Sequence, residues 1–241
     1  MIRTIGIYVY ASLLVIGTIF KLQKVKKWAE TGLAVEKQDE IFKTPKIVSQ
    51  KVIAKTGTGV KVEGLEKVPS GPVLFVANHQ GIFDILAFLG YLERPVGFIA
   101  KKEIKKIPII STWMEFVHCV FIDRTDRRQS MQAIQQGIEN LKDGNSMLIF
   151  PEGTRSKGRQ VSSFKAGSFR LATKSKVPIV PVSIDGTYQM LEEDGGRIKK
   201  SSIHIVVDDP ILPEQYEKMK SAEIASNVES TIRKRLKHVN E

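Results

Sequence analysis

Apolar positions fall into two regimes along the chain. Residues 5–20 form an uncharged run with Arg3 before it and Lys21, Lys24, Lys26 and Lys27 after it. A full bilayer crossing takes about 20 apolar residues, so this run suits either an anchor lying in the membrane interface or a short single span. The lysines stand where a signal peptide would carry small cleavage-site residues, and they place the rest of the chain on the cytoplasmic face of the cell membrane. Residues 21–55 are basic and weakly amphipathic, which predicts a second helix beside the first. Thr56-Gly57-Thr58-Gly59 then breaks the pattern.

Beyond that break, short apolar runs alternate with stretches of helical spacing. Strands are predicted at 60–62, 73–77, 96–100, 120–122, 147–150, 179–184 and 203–207. Helices are predicted at 81–91, 130–142, 165–176 and 222–238; in the second of these Met131, Ile134, Ile138 and Leu141 share a face and Gly144 ends it. Such alternation implies an α/β fold: a mixed, largely parallel sheet flanked by helices. The expected organisation is membrane-associating helices over 1–55 and one α/β domain over 56–241.

Composition narrows the partners. A chain of 241 residues that is 42% hydrophobic can bury one sizeable core. Its one cysteine, Cys119, excludes an intrachain disulfide, and its apolar neighbours mark it as a small buried side chain. The net charge of +11 favours an anionic partner: nucleic acid, an anionic membrane or a phosphorylated substrate. Basic residues are not interleaved with aromatics as a base-stacking platform requires, which argues against nucleic acid.

Three histidines are each followed five positions later by an aspartate: His79 and Asp84, His118 and Asp123, His204 and Asp209. Residues five apart in a strand point to opposite faces, so the second and third pairs should diverge. His79 instead lies between a predicted strand and a predicted helix, with Gly81 in the turn. There Asp84 can fold back onto one ring nitrogen and leave the other free as a base; the spacing equally fits a carboxylate that only caps the helix. Asn78 is placed to cap the turn. A second candidate is the turn Phe150-Pro151-Glu152-Gly153-Thr154-Arg155-Ser156, where free amides at Gly153 and Thr154 and the Arg155 guanidinium form an anion cradle near Lys157, Arg159 and Lys165. A third is Phe121-Ile122-Asp123-Arg124, whose Arg124 emerges from a buried strand as a phosphate ligand or an exposed strand end. A fourth, residues 177–182, is an apolar strand bracketed by prolines.

Taken in order, these four segments resemble the motif blocks of the glycerolipid acyltransferase family, over roughly residues 60–190. The first is Asn78-His79-Gln80-Gly81-Ile82-Phe83-Asp84; together with the segment 150–156 it carries most of the specificity. The N-terminal apolar and lysine-rich stretch also resembles the family's two-helix membrane-binding motif. The resemblance, closest to bacterial enzymes acting on 1-acylglycerol 3-phosphate, implies acyl transfer from a thioester of coenzyme A or acyl carrier protein to lysophosphatidic acid at a membrane. It implies neither a bound cofactor nor a metal. His79 would be the base, oriented by Asp84. Arg124 and Arg155 would bind the acceptor phosphate, helped by Lys102 and Lys105. Glu152 would orient one of these cations or touch the acceptor, and the Glu152-Gly153-Thr154 turn would supply oxyanion donors. Apolar residues over 104–116 would line an acyl tunnel. A related acceptor such as glycerol 3-phosphate is the nearest alternative.

Overall fold

The computed structural model describes residues 1–123 and 125–238. Helices α1 (Ile2–Ile16) and α2 (Ile19–Glu30) follow one another across Gly17 and Thr18. They form a 29-residue helical arm long and apolar enough to cross a membrane. Helix α3 (Gln38–Lys55) packs against α1. The two-helix arrangement is therefore present, but the bend lies at residues 31–37 and not near 21. The helical spacing of Leu22, Val25 and Trp28 continues past the lysines and keeps an apolar edge on the core, with Leu22 and Val25 buried.

The α/β part runs β1 (Gly59–Glu63), β2 (Leu74–Ala77), α4 (Phe83–Tyr91), β3 (Gly97–Lys101), α5 (Pro108–Phe116), β4 (Val120–Ile122), α6 (Arg127–Lys142) and β5 (Met147–Ile149). It continues with α7 (Arg170–Ser175), β6 (Ile179–Asp185), α8 (Tyr188–Leu191), β7 (Ser202–Val207), α9 (Pro213–Tyr216) and α10 (Ser221–His238). The seven strands form one sheet in the order β1-β7-β6-β2-β5-β3-β4. All pairings are parallel except β6 with β7. The mixed, largely parallel sheet expected from the alternation is the fold observed. Helix α5 is an addition: its residues read as an apolar run, and Pro108 at its first turn starts the helix.

Alternation along β2 divides the core. Val73, Phe75 and Ala77 face a cluster that includes α4, Trp113 of α5 and the buried edge of the N-terminal arm. Leu74 and Val76 face a second cluster built with α6, α7 and α10. The N-terminal helices thus complete one face of the sheet. Polar bonds fasten them there. Trp113 Nε1 donates to Thr18 Oγ1 at 2.8 Å, the Ile198 amide donates to Thr4 Oγ1 at 3.0 Å, and Arg3 donates to the Thr56 carbonyl. The opposite face of the arm, with Ile2, Ile5, Tyr8, Val9, Leu13 and Phe20, is left exposed.

Cys119 is buried beside Phe98, whose amide donates to its Sγ. Burial pushes its thiol up to about 12. Only the thiolate is nucleophilic. Native protein at pH 8 should therefore resist iodoacetamide for hours, while protein in guanidinium should label fully, as read by mass spectrometry. Rapid native labelling would show that this face of the core opens.

Candidate active site

Three adjacent strands, β6, β2 and β5, end side by side, and the site is built from the loops that leave them. The C-terminal edge of a parallel sheet is where strand carbonyls give way to loops and helix N-termini. After β2 comes His79. Its Nδ1 lies 2.6 Å from Asp84 Oδ2, in the first turn of α4. A carboxylate is an acceptor only, so this bond puts the proton on Nδ1 and the lone pair on Nε2. After β5 comes Phe150, whose ring stacks on the imidazole with centroids 4.0 Å apart and planes 14° apart. That stacking fixes the ring's plane, and the His79 side chain remains 14% exposed.

Asp84 has no exposed surface, and its oxygens are met by donors. Oδ2 also accepts from the Gln80 amide at 2.7 Å and the Gly81 amide at 3.0 Å. Oδ1 accepts from the hydroxyl of Thr187, just past β6. Gln80 Nε2 donates to Asp185 Oδ1 at 3.0 Å, tying the same turn to the end of β6. Asn78 does not cap this turn. Its side-chain amide pairs with both the N–H and the C=O of Ile184, at 2.9 Å each, and so bridges β2 to β6.

The loop after β5 grips His79 through the main chain. Glu152 Oε1 accepts the His79 amide at 2.7 Å, and Oε2 accepts the Ser162 amide at 2.7 Å. The Ser156 and Lys157 amides donate to the carbonyls of His79 and Gln80, at 2.8 and 3.1 Å. Burial pushes the Glu152 carboxyl above the ordinary carboxylate range, opposed by its backbone bonds. A carboxyl raised in the folded state favours the fold less once ionised, so this group's contribution falls as pH rises past the usual glutamate value. Glu152 is expected from the sequence to orient a cation or meet the acceptor; with both oxygens taken by backbone amides, it orients the loop that holds His79.

The other expected residues divide. The Gly153 amide is not free, because it closes a turn onto the Phe150 carbonyl at 3.1 Å. Thr154 is exposed, and its amide has no hydrogen-bond partner among the described residues. Arg155 reaches into the same neighbourhood with Nη1 on Glu192 Oε1 at 3.0 Å. Lys165 comes close to Gly153: a side chain at that glycine would meet its ammonium at 2.5 Å. Lys102 pairs with Asp123 at the end of β4, and Lys105 lies over the Phe121 ring at 5.0 Å. Lys102 and the Thr125 bonds hold the Asp123 carboxyl well below the usual range. Arg124 lies outside the described residues.

The two competing histidine pairs diverge. β4 separates His118 from Asp123, and Asp209 pairs with Lys67 while His204 sits within β7. Thr187, Asp185 and Glu192 escape sequence reading, since they lie past the last motif and more than 100 residues from His79. The polar turn Asp185-Gly186-Thr187 after a wholly buried strand was the available signal. Gly186 is required there: its φ is +94°, and a Cβ would meet the Ser202 carbonyl oxygen at 2.0 Å.

A buried aspartate that holds one imidazole nitrogen, while the other has no partner among the described residues, is an arrangement able to act as a general base. The acyltransferase family pattern matches residues 59–185, from β1 to the end of β6, and the chain belongs to that family. Among curated relatives it is 33% identical over 184 residues to a probable 1-acyl-sn-glycerol-3-phosphate acyltransferase of Mycoplasma pneumoniae, covering 71% of this chain and 69% of that one. It is 36% identical over 155 residues to the chloroplast 1-acyl-sn-glycerol-3-phosphate acyltransferase of Arabidopsis thaliana, covering 63% of this chain but only 43% of that enzyme's length. The crystal structure of the 1-acyl-sn-glycerophosphate acyltransferase of Thermotoga maritima superposes with a TM-score of 0.82 at 27% identity, over 99% of this chain and 95% of that one.

Replacing Thr187 by Val should remove the donor from a buried carboxylate oxygen and cost about 1–3 kcal/mol. In a protein of this size that lowers Tm by about 2–4 °C per kcal/mol, read by calorimetry. Thr187→Ser keeps the hydroxyl and should restore most of the loss; a loss confined to Thr187→Ser, with Thr187→Val as stable as the wild type, would show that packing of the methyl, not the bond to Asp84, is what matters.

Proposed function

We propose that this protein transfers a fatty acyl group from a thioester to the free sn-2 hydroxyl of lysophosphatidic acid, giving phosphatidic acid for phospholipid biosynthesis. The observation that carries the reading is the His79–Asp84 pair with Nε2 left open. Nε2 accepts the proton of the acceptor hydroxyl as that oxygen attacks the thioester carbonyl. The tetrahedral intermediate collapses with cleavage of the C–S bond, and the imidazolium returns its proton to the leaving thiolate. The hydroxyl is itself the nucleophile, so one ester forms and one thiol leaves with no covalent enzyme intermediate. Thr154 supplies an amide for the oxyanion, and Arg155 with Lys102 and Lys105 attracts the acceptor phosphate. The donor is a thioester of coenzyme A or acyl carrier protein.

The names carried by the relatives support the acceptor, and the apolar surfaces support the acyl chains. An apolar cavity of about 170 Å³ lies between α1, α3, α4 and α5, with Ile85 and Leu89 of α4 and Ile110, Trp113 and Met114 of α5 on its walls. We read it as a seat for an acyl chain. The exposed side of the arm over 2–20 is read as lying in the interface and not crossing it, because a crossing would break the bonds from Thr4, Arg3 and Thr18 to the α/β part.

Two experiments test these readings. Acyl transfer from a thioester to lysophosphatidic acid in detergent should be robust in the wild type and fall by at least about 10²-fold in His79→Ala. Undiminished transfer in the variant would move the base elsewhere, and absent transfer in the wild type would reject the acceptor. The double variant Ile5→Glu/Leu13→Glu should stay folded, with unchanged circular dichroism, yet lose most of its co-sedimentation with anionic vesicles. Unchanged sedimentation would reject this face as the docking surface.

A further inference from the structure

Glu192 lies just beyond α8, past the span that the family pattern matches. Its side chain is only 5% exposed. Oε1 accepts from two separate parts of the site: the Ile82 amide at 2.9 Å, in the turn that carries His79, and Arg155 Nη1 at 3.0 Å. Oε2 has no partner among the described residues. It lies against Gly81, where an added Cβ would meet it at 2.5 Å. A carboxylate desolvated to this degree and satisfied on one oxygen is a poor source of stability. Its contribution is geometric. It joins the turn 80–82 to the Arg155 guanidinium, the one in the segment 150–156, and engages a single Nη1 of that fork.

We infer that Glu192 is a positioning residue that holds the Arg155 guanidinium at a fixed offset from the His79 turn, so that its remaining donors meet the phosphate of the acceptor. The inference rests on the proposed lysophosphatidic acid reaction and on Arg155 as a phosphate ligand. The backbone bond to Ile82 sets the carboxylate's place, and the carboxylate sets the guanidinium's. Gly81 is then glycine because any side chain would displace the carboxylate, its own backbone needing no special φ. The interaction belongs to binding of the anionic end, so it acts on the acceptor alone.

The test is a double-mutant cycle on full-length protein: wild type, Glu192→Gln, Arg155→Ala and the double variant, each checked by circular dichroism. Glu192→Gln keeps an acceptor for Ile82 and removes the charge facing Arg155. It should raise the acceptor KM about tenfold while the thioester KM and kcat change less than about twofold. In the Arg155→Ala background it should add less than about twofold. Independent, multiplying effects, a wild-type KM in Glu192→Gln, or a loss confined to kcat would each overturn the inference. Affinity for inorganic phosphate, measured by calorimetry on the same four proteins, reads the cation without turnover; Glu192→Gln and Arg155→Ala should weaken it non-additively. If the wild type binds phosphate in this way yet makes no phosphatidic acid, the acceptor reading fails and the role of Glu192 stands. If Glu192→Gln does not fold, Gly81→Ala displaces the same carboxylate and should raise the acceptor KM; an unchanged KM there overturns the inference.

Discussion

A carboxylate with no exposed surface must be surrounded by donors or the fold loses several kcal/mol, and at Asp84 four donors come from three directions. One is the imidazole of His79, two are amides of the turn between them, and one is the hydroxyl of Thr187 beyond β6. Satisfying that carboxylate fixes the turn, the tautomer of the imidazole and the contact between β2 and β6 together. The sheet order serves the same end, because it sets β6 and β5 on either side of β2 although they lie some 70 to 110 residues away in sequence. The remaining features of the site, from the stacking on Phe150 to the clamp from Glu152, pack around a turn already determined by this one buried charge.

The division between what could and could not be read from the sequence follows the range of the interactions. His79 and Asp84 were legible because a strand-turn-helix of five residues decides their meeting locally, and the same logic separated the two competing pairs. The parallel sheet was legible from alternation, since buried strands such as β6 read as short apolar runs. Partner choice was not legible. Asn78 looked like a cap and bridges two strands; Glu152 looked like a ligand and holds main chain; the Gly153 amide looked free and closes its own turn. Each of these depends on a neighbour that is distant in sequence or on local turn geometry that composition does not encode. The extent of the N-terminal arm is hidden for another reason: lysines on one side of a helix do not end it when the other side still meets the core.

That arm also shows how a protein can present an apolar surface without losing rigidity. Its inner side contributes Ile7, Leu22 and Val25 to the same core that contains Phe75 of the sheet and Phe88 of α4, so the surface turned outward is backed by the interior of the α/β domain. An anchor on a loose tether would let the site tumble relative to the bilayer. An anchor that is part of the core gives the site one orientation toward whatever surface the arm meets.

The clamp on His79 and Gln80 rests on the amide hydrogens of Ser156 and Lys157, with the Ser156 hydroxyl adding a longer bond of 3.2 Å to the His79 carbonyl. An N–H is common to every residue but proline, so the clamp places little demand on side-chain identity at these two positions. The backbone asks for somewhat more at 157, where φ is +58° and β-branched residues are disfavoured. Within those bounds evolution can change charge and size in the loop over the site while the imidazole stays where it is.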